Sequence, residues 1–427
     1  MVGFTRLAHV DRSSLTTLAD WAAVAVGIAL PWSTSAVGIA IVVWILVLLP
    51  SLDATSVKRE IATAAGGLPV VLWCLGALGM LWADVSWHDR FAGLEGFHRL
   101  LAIPLLLAQF RRSENGIWVV RGFFISSVAV LIASYAIVLI IGHRSHLVDG
   151  VRLLAVDGVP VHDTIFQGSE FVICGFGALG YGVLARGKRA GRWPMAVFAT
   201  GTLFLINFAV ATASRVALAI APVLLLLLGW RLFRWKGALV TLLLAVVAGG
   251  AMWFASPLLR DRVAQTVVEM QEYRTADRAT SIGEHIAFLK ESLAIIASAP
   301  IIGHGTGSIA KEFRRITAGK TGVSGLPSVN PHNQTLAVAI QLGLVGAITL
   351  WAMWVAHLAL FSRQSAVAWL GLAVVVENIL SSTVHSHLFD FNNGWLYVFA
   401  TGVLGGIILN ERANALKKLE SDSNERR

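Results

Sequence analysis

The sequence predicts an all-α polytopic membrane protein, a bundle of about twelve transmembrane helices with one large polar loop on the face away from the cytoplasm. Three observations lead there. The 427 residues are 56% hydrophobic and only 14% charged, where a soluble domain carries about 25% charged residues, so water is not the main solvent. Apolar runs recur from Leu18 to Leu409 with no soluble-sized segment between them, which favours one membrane domain over several soluble ones. Finally, lysines and arginines gather in alternate connections, as the positive-inside rule requires. The formal charge of +9 resides in these short clusters and forms no continuous basic surface, so nucleic acid is excluded as a partner. Cys74 and Cys174 both lie inside apolar runs and are expected to pack against neighbours, not to form a disulfide or bind metal.

Windows of roughly 17 to 25 apolar residues place helices at 17–32, 34–50, 66–83, 97–110, 116–142 and 164–185. A second set falls at 194–211, 215–230, 237–255, 332–358, 366–384 and 394–410. The first is read as an uncleaved helix, although Arg6 and Arg12 ahead of it superficially resemble a signal peptide. The run 97–110 is short and interrupted by Arg99 and Pro104, which suits a re-entrant or protein-buried helix. Residues 1–255 then hold nine transmembrane helices, 256–331 the outer loop, 332–410 three more helices and 411–427 a cytoplasmic tail. Lys58 and Arg59, Arg111 and Arg112, Arg186 to Arg192, Arg231 to Lys236, and Arg363 all fall on one face, together with both termini. The opposite face receives 84–95, 143–162, 213–215, 256–331 and 385–393, and with them most of the histidines. Trp32, Trp82, Trp193, Trp235 and Trp253 fall near helix ends, as an interfacial aromatic belt would place them.

The long loop has structure of its own. Leu259, Val263, Val267 and Met270 recur at helical spacing, as do Ile282, Ile286, Leu289, Leu293 and Ile296, predicting two amphipathic helices. Glu284, Lys290 and Glu291 lie off the second stripe, and Ala299 with Pro300 ends it. The glycines from Gly303 to Gly307 and from Gly319 to Gly325 predict irregular chain. No strand precedes Gly303 and no P-loop lysine follows Gly307, so nucleotide binding is rejected. No internal repeat or broken helix is evident, which weighs against a secondary transporter with Glu170 and Glu377 as coupling residues.

Polar residues in this apolar context mark the chemistry. Arg215 opens a helix at its outer end, where a guanidinium either invites an anion or snorkels. Arg278 opens the second loop helix and either serves a ligand or pairs with Asp277 or Glu284 on the surface. His332 sits at a membrane rim, where a neutral imidazole with an unperturbed pKa near 6.5 can accept a proton, or simply cap and pack. Asn330, Asn333 and Gln334 beside it add hydrogen-bonding groups. His385, His387 and Asp390 have the look of a zinc set, but three ligands in one short loop more often form a polar rim, so no metal and no cofactor is expected. Glu377, Ser381 and His385 share one helical face, and Asp163, Gln167 and Glu170 another, so the two stripes either line a cavity or pair within the bundle.

Ser214-Arg215 opening a helix, Arg278 followed by a loop helix and the Pro-Ile-Ile-Gly-His-Gly-Thr-Gly run from Pro300, and His332-Asn333-x-x-Leu336 with Gly343 and Gly346 downstream occur here in that order. The pattern resembles the O-antigen ligase and polymerase superfamily, by motif over Phe204 to Gly346 and by topology elsewhere. Length and the single outer loop look most like its O-antigen ligases, a GT-C-like class of inner-membrane glycosyltransferases. The resemblance implies transfer of O-antigen from undecaprenyl pyrophosphate to lipid A core on the periplasmic side. It also implies catalytic roles for Arg215, Arg278 and His332, and substrate contacts from these arginines, Asn330, Asn333, Gln334 and His385. Membrane lipids are the other expected partners. An O-antigen polymerase or a protein O-oligosaccharyltransferase would share this machinery.

Overall fold

A computed structural model describes residues 12–141, 146–148, 151–153, 158–184, 192–207, 214–255, 257–276 and 280–424. The chain is helical almost throughout. Helices α1 (Arg12–Ala29) and α2 (Thr34–Ser51) form an antiparallel pair, and the Ala36 N–H donates to the Ser33 hydroxyl to cap the second. α2 is apolar on every side, yet Val37, Ile41, Trp44 and Leu48 are buried while Ile39, Val42, Val43 and Leu46 are exposed. That is the pattern of a helix packed on protein on one side and bathed in hydrocarbon on the other.

α3 (Ala54–Ile61) and α4 (Ala64–Gly79) meet at an 86° bend. α5 (Trp87–His98) continues through a 3-10 turn into α6 (Ala102–Phe110), making one largely buried 24-residue helix. The predicted 97–110 helix therefore starts ten residues early. Asp89, Arg90 and Glu95 broke the apolar run, and buried Arg99 is tolerated because its guanidinium donates to the carbonyls of Asp390 and Phe391. α7 (Gly116–Ile141), a two-stranded hairpin pairing His146–Val148 with Val151–Leu153, α8 (Thr164–Leu184) and α9 (Arg192–Asn207) follow. Cys74 is exposed and Cys174 buried, and both are free thiols.

α10 (Arg215–Ala255) is written as one helix of 41 residues, but Phe233 and Arg234 leave helical geometry inside it. Eight residues of continuous helix would put Gly229 and Gly237 about 12 Å apart. Instead a Cβ on Gly237 would overlap the Gly229 carbonyl, so the helix turns back on itself as a hairpin, with one arm at each of the predicted helices 215–230 and 237–255. α11 (Pro257–Ala276) and α12 (Ser281–Ser298) are the two loop helices that the apolar spacing predicts. α13 (Ile309–Thr317) was not predicted; the glycines around it obscured it.

α14 (Gln334–Leu360), α15 (Ala366–Ser381) and α16 (Phe391–Asn424) complete the bundle, the last extending into the predicted tail. Contrary to expectation one helix is broken: Gly343 in α14 stands at φ 62°, ψ −158°. The break is stitched by the loop segment after α12. His304 and Gly305 N–H groups donate to the Ile340 and Gln341 carbonyls, and Leu344 and Val345 N–H groups donate to Pro300 and Ile301. A Cβ at residue 343 would collide with the Ile301 carbonyl, so the position requires glycine.

Among the described residues six helices are long and apolar enough to cross a membrane, or seven if α3 and α4 count as one bent span. Shorter apolar helices include α1 and α15. Contacts gather the connections at two ends. At one, Glu60 pairs with Arg59 and Arg111 at 2.9 and 3.0 Å, and Arg231 and Arg412 donate to the carbonyls of Phe361 and Leu360. At the other, Thr306 donates to the Gly76 carbonyl, Lys311 pairs with Asp84, and the 382–390 connection lies against α12 and the start of α14.

Candidate active site

The second end carries a cleft of about 690 Å³. Its walls come from the start of α8, the start of α10, α12, the segment leading into α14, and the connection between α15 and α16. Arg215, His285, His332, Asn333 and His385 face it.

Arg215, the first residue of α10, reaches α11. Its two terminal nitrogens donate to the two carboxylate oxygens of Glu269 at 3.0 and 3.2 Å, a bidentate fork. The side chains keep 35% and 22% exposure, so the pair is open to solvent and to a competing anion. Arg278 lies outside the described residues.

His332 is held in the left-handed region at φ 53°, one of two non-glycine residues with positive φ among those described. Such a conformation has a cost and persists only where neighbours over-determine it. Here the Asn330 Oδ1 accepts from the His332 backbone N–H at 2.9 Å and from the Ser386 hydroxyl at 2.7 Å. The Asn333 Oδ1 caps α14 by accepting from Leu336 N–H, while its amide donates to the Thr383 carbonyl. The imidazole stacks on Phe288 of α12, 5.8 Å between centroids and 14° between planes. Burial, seconded by the neighbouring His285, holds its pKa below the usual histidine value. At neutral pH its ring therefore keeps a free lone pair.

Gln334 is fully buried, and its Oε1 accepts from the Leu388 N–H at 2.9 Å. Asn330, Asn333 and Gln334 thus spend most of their hydrogen bonds fixing the turn that carries His332. His385 is half-buried, with its pKa pushed down to about 4 by burial and then by His285 and His332. His387 stacks beneath it at 5.5 Å, buried, its Nδ1 2.9 Å from the Ser381 hydroxyl; burial pushes its pKa down to about 3. Asp390 instead caps α16, accepting from the Asn393 N–H at 2.8 Å. His385, His387 and Asp390 therefore do not converge as one set.

Each stripe runs from a residue at the cleft end, His385 or exposed Asp163, to a glutamate inside the bundle. Glu170 and Glu377 are buried on α8 and α15; Glu377 takes hydrogen bonds from Ser169 and Ser381. Asp163 Oδ1 caps α8, accepting from the Ile165 and Phe166 N–H groups.

Two residues, Glu269 as the partner of Arg215 and His285 on the cleft wall, were missed by sequence reasoning. Glu269 lay among other charges of α11 and nothing marked it. His285 lies one turn before Leu289, and both face the cleft at the edge of the buried side of α12; a histidine beside the predicted apolar stripe was the available signal.

Residues 200–351 match the family model described as O-Antigen ligase. That stretch is similar to an O-antigen ligase domain. The matched stretch holds Arg215, α11 to α13, His332 and the glycine break of α14, so the domain and the cleft largely coincide. The match covers about a third of the chain, and within it the chain is similar to that family. No curated protein matches the chain.

Proposed function

We propose that the protein is an O-antigen ligase, transferring O-antigen from undecaprenyl pyrophosphate to a sugar hydroxyl of lipid A core in the periplasmic leaflet of the inner membrane. In this reading both termini are cytoplasmic, about twelve helices cross the bilayer, and 256–331 is a periplasmic loop over the cleft. The observation that carries it is His332, strained into the left-handed region at the rim of a cleft facing Arg215, within the segment that matches the ligase family.

The chemistry follows from those groups. An acceptor hydroxyl is a poor nucleophile, and a base within hydrogen-bond reach contributes roughly 10²- to 10⁴-fold. His332 takes the hydroxyl proton on a ring nitrogen as the acceptor oxygen bonds to the anomeric carbon of the donor sugar. The bond from that carbon to the pyrophosphate oxygen breaks, and its electron pair leaves on the phosphate. Arg215 and Arg278 neutralise that charge by bidentate hydrogen bonds, which guanidinium supplies without a divalent metal. One displacement with one base inverts the anomeric carbon, unlike the two-carboxylate retaining hydrolases. Asn330, Asn333 and Gln334 act by holding the turn of His332, and His385 extends the polar wall toward the sugars.

The test is reconstitution of the purified protein in liposomes with undecaprenyl-pyrophosphate-linked glycan and lipid A core. A joined product with the anomeric configuration opposite to the donor's is expected. Glycan-on-glycan extension instead would make the protein a polymerase, transfer to a protein hydroxyl would make it an oligosaccharyltransferase, and no transfer at all would reject the reading.

A further inference from the structure

Three histidines from three separate elements meet at the cleft: His285 on α12, His332 before α14 and His385 between α15 and α16. Each offers a ring nitrogen such that all three lie within 4.8 Å of one another. The ring centroids are 5.2, 6.1 and 6.2 Å apart. The tautomer of His285 follows from its surroundings. Its Nδ1 lies 2.7 Å from the Ser281 carbonyl, which only an N–H can satisfy, so the neutral ring keeps its lone pair on Nε2. The protein atom facing Nε2 is the Val384 carbonyl at 3.3 Å, an acceptor opposite an acceptor. An imidazole whose Nδ1–H is tied to a backbone carbonyl offers Nε2 as its ligand atom, as metal-bound histidines commonly do.

We propose that His285, His332 and His385 form a site for a divalent transition metal of the Zn²⁺ class, and that metal held there inhibits transfer by occupying the ring lone pair of His332. Three imidazoles without a carboxylate or thiolate select Zn²⁺, Ni²⁺ or Cu²⁺ over Mg²⁺ or Ca²⁺. Tetrahedral bonds of about 2.0–2.1 Å require nitrogens about 3.3 Å apart, so the rings must draw together slightly. With the turn of His332 fixed by Asn330, the adjustment falls on the side-chain torsions of the three histidines. The positive charge of Arg215 is already answered by Glu269, and Asp163 and Asp390 add a favourable field at His385. The fourth position faces the cleft and is open to water. The inhibitory half rests on His332 being the base; the binding half does not.

The experiment uses full-length, untagged protein in detergent, stripped with a chelator and titrated with Zn²⁺ by calorimetry and with Co²⁺ by visible absorption. About one equivalent should bind, with the d–d bands of a four-coordinate nitrogen site. His285→Gln and His385→Gln should each weaken binding by at least about 10-fold, the scale that loss of even an outer partner costs. His88→Gln, at an exposed histidine that does not line the cleft, should not. Monodisperse elution and an unchanged melting temperature of the metal-free variants separate ligand loss from misfolding. Zn²⁺ should inhibit ligation at the concentration at which it binds. In His285→Gln the inhibition curve, normalised to that variant's own metal-free rate, should shift by the same factor as binding. Absence of a bound equivalent, or binding untouched in both histidine variants, overturns the site. Binding without inhibition, or stimulation by Zn²⁺, overturns the inhibitory role. A preparation that binds Zn²⁺ yet never ligates leaves the site standing and sinks the ligase reading instead.

Discussion

Glu269 is expected to compete with the donor for Arg215, and replacing it should tighten donor binding. The fork between them has bonds of 3.0 and 3.2 Å, with side chains 35% and 22% exposed. Unit charges about 4 Å apart attract by roughly 4 kcal/mol at an effective dielectric of about 20. Solvated pairs, however, measure only about 0.2–1 kcal/mol, because water and salt answer each charge separately. The exposure here places the pair near the top of the lower range, about 1 kcal/mol, equivalent to roughly 5-fold in a binding constant. Glu269→Gln keeps size and an acceptor but removes the charge. Donor affinity should therefore rise by up to about 5-fold, with kcat unchanged, and the gain should shrink at high salt as screening weakens the competition. The assay is equilibrium binding of a labelled undecaprenyl-pyrophosphate glycan in nanodiscs, run for the wild type, Glu269→Gln, Arg215→Ala and the double variant. In the Arg215→Ala background the Glu269 substitution should do nothing. If Glu269→Gln weakens donor binding as Arg215→Ala does, the carboxylate holds the guanidinium in place instead of competing, and the reasoning fails.

Four further outcomes are expected. His332→Gln should cut ligation by about 10²-fold or more while leaving donor affinity near wild type, since glutamine keeps hydrogen bonds but has no ring nitrogen to take the proton; a near wild-type rate would move the base elsewhere, with His385 next in line. Arg278→Ala should weaken donor binding together with rate, and Arg→Lys at 215 or 278 should restore only part, because a point charge does not reproduce the fork; full rescue by lysine in both measurements would reject bidentate recognition. Chelator treatment should leave ligation intact or raise it, and a loss reversed only by added metal would contradict a metal-free displacement. In intact cells a cysteine at exposed Thr321 should react with a membrane-impermeant thiol reagent and one at exposed Ser362 should not, the reverse pattern overturning the orientation.

Much of the helical frame was legible because hydrocarbon leaves few options: a spanning segment must satisfy its own backbone and present apolar side chains to lipid, and α2, α7 and the arms of α10 do so in continuous runs. The reading failed where a helix is buried in protein. α5 escaped because its charged residues are answered within the protein; Arg90, for example, donates to the carbonyls of Met80 and Val85. The glycines from Gly303 to Gly307 read as loose chain, yet they carry positive φ values to bring the backbone against Ala83, Asp89 and the Gly343 break, contacts set by residues far away in sequence. The site divides the same way. Arg215 and His332 stood out because charge and imidazole are conspicuous at the rim of apolar helices. Glu269 and His285 lie in a loop already rich in polar residues, where one more is unremarkable by composition. Their importance comes only from the path of the chain, which folds α11 against Arg215 and lays α12 over His332 and His385. Asn330 and Gln334 were conspicuous for position, but their hydrogen bonds are spent on Ser386, the His332 backbone and Leu388. In a polar cluster beside a catalytic candidate, sequence therefore marks the turn as a unit, and only the hydrogen-bond pattern separates the residue that faces substrate from those that hold it there.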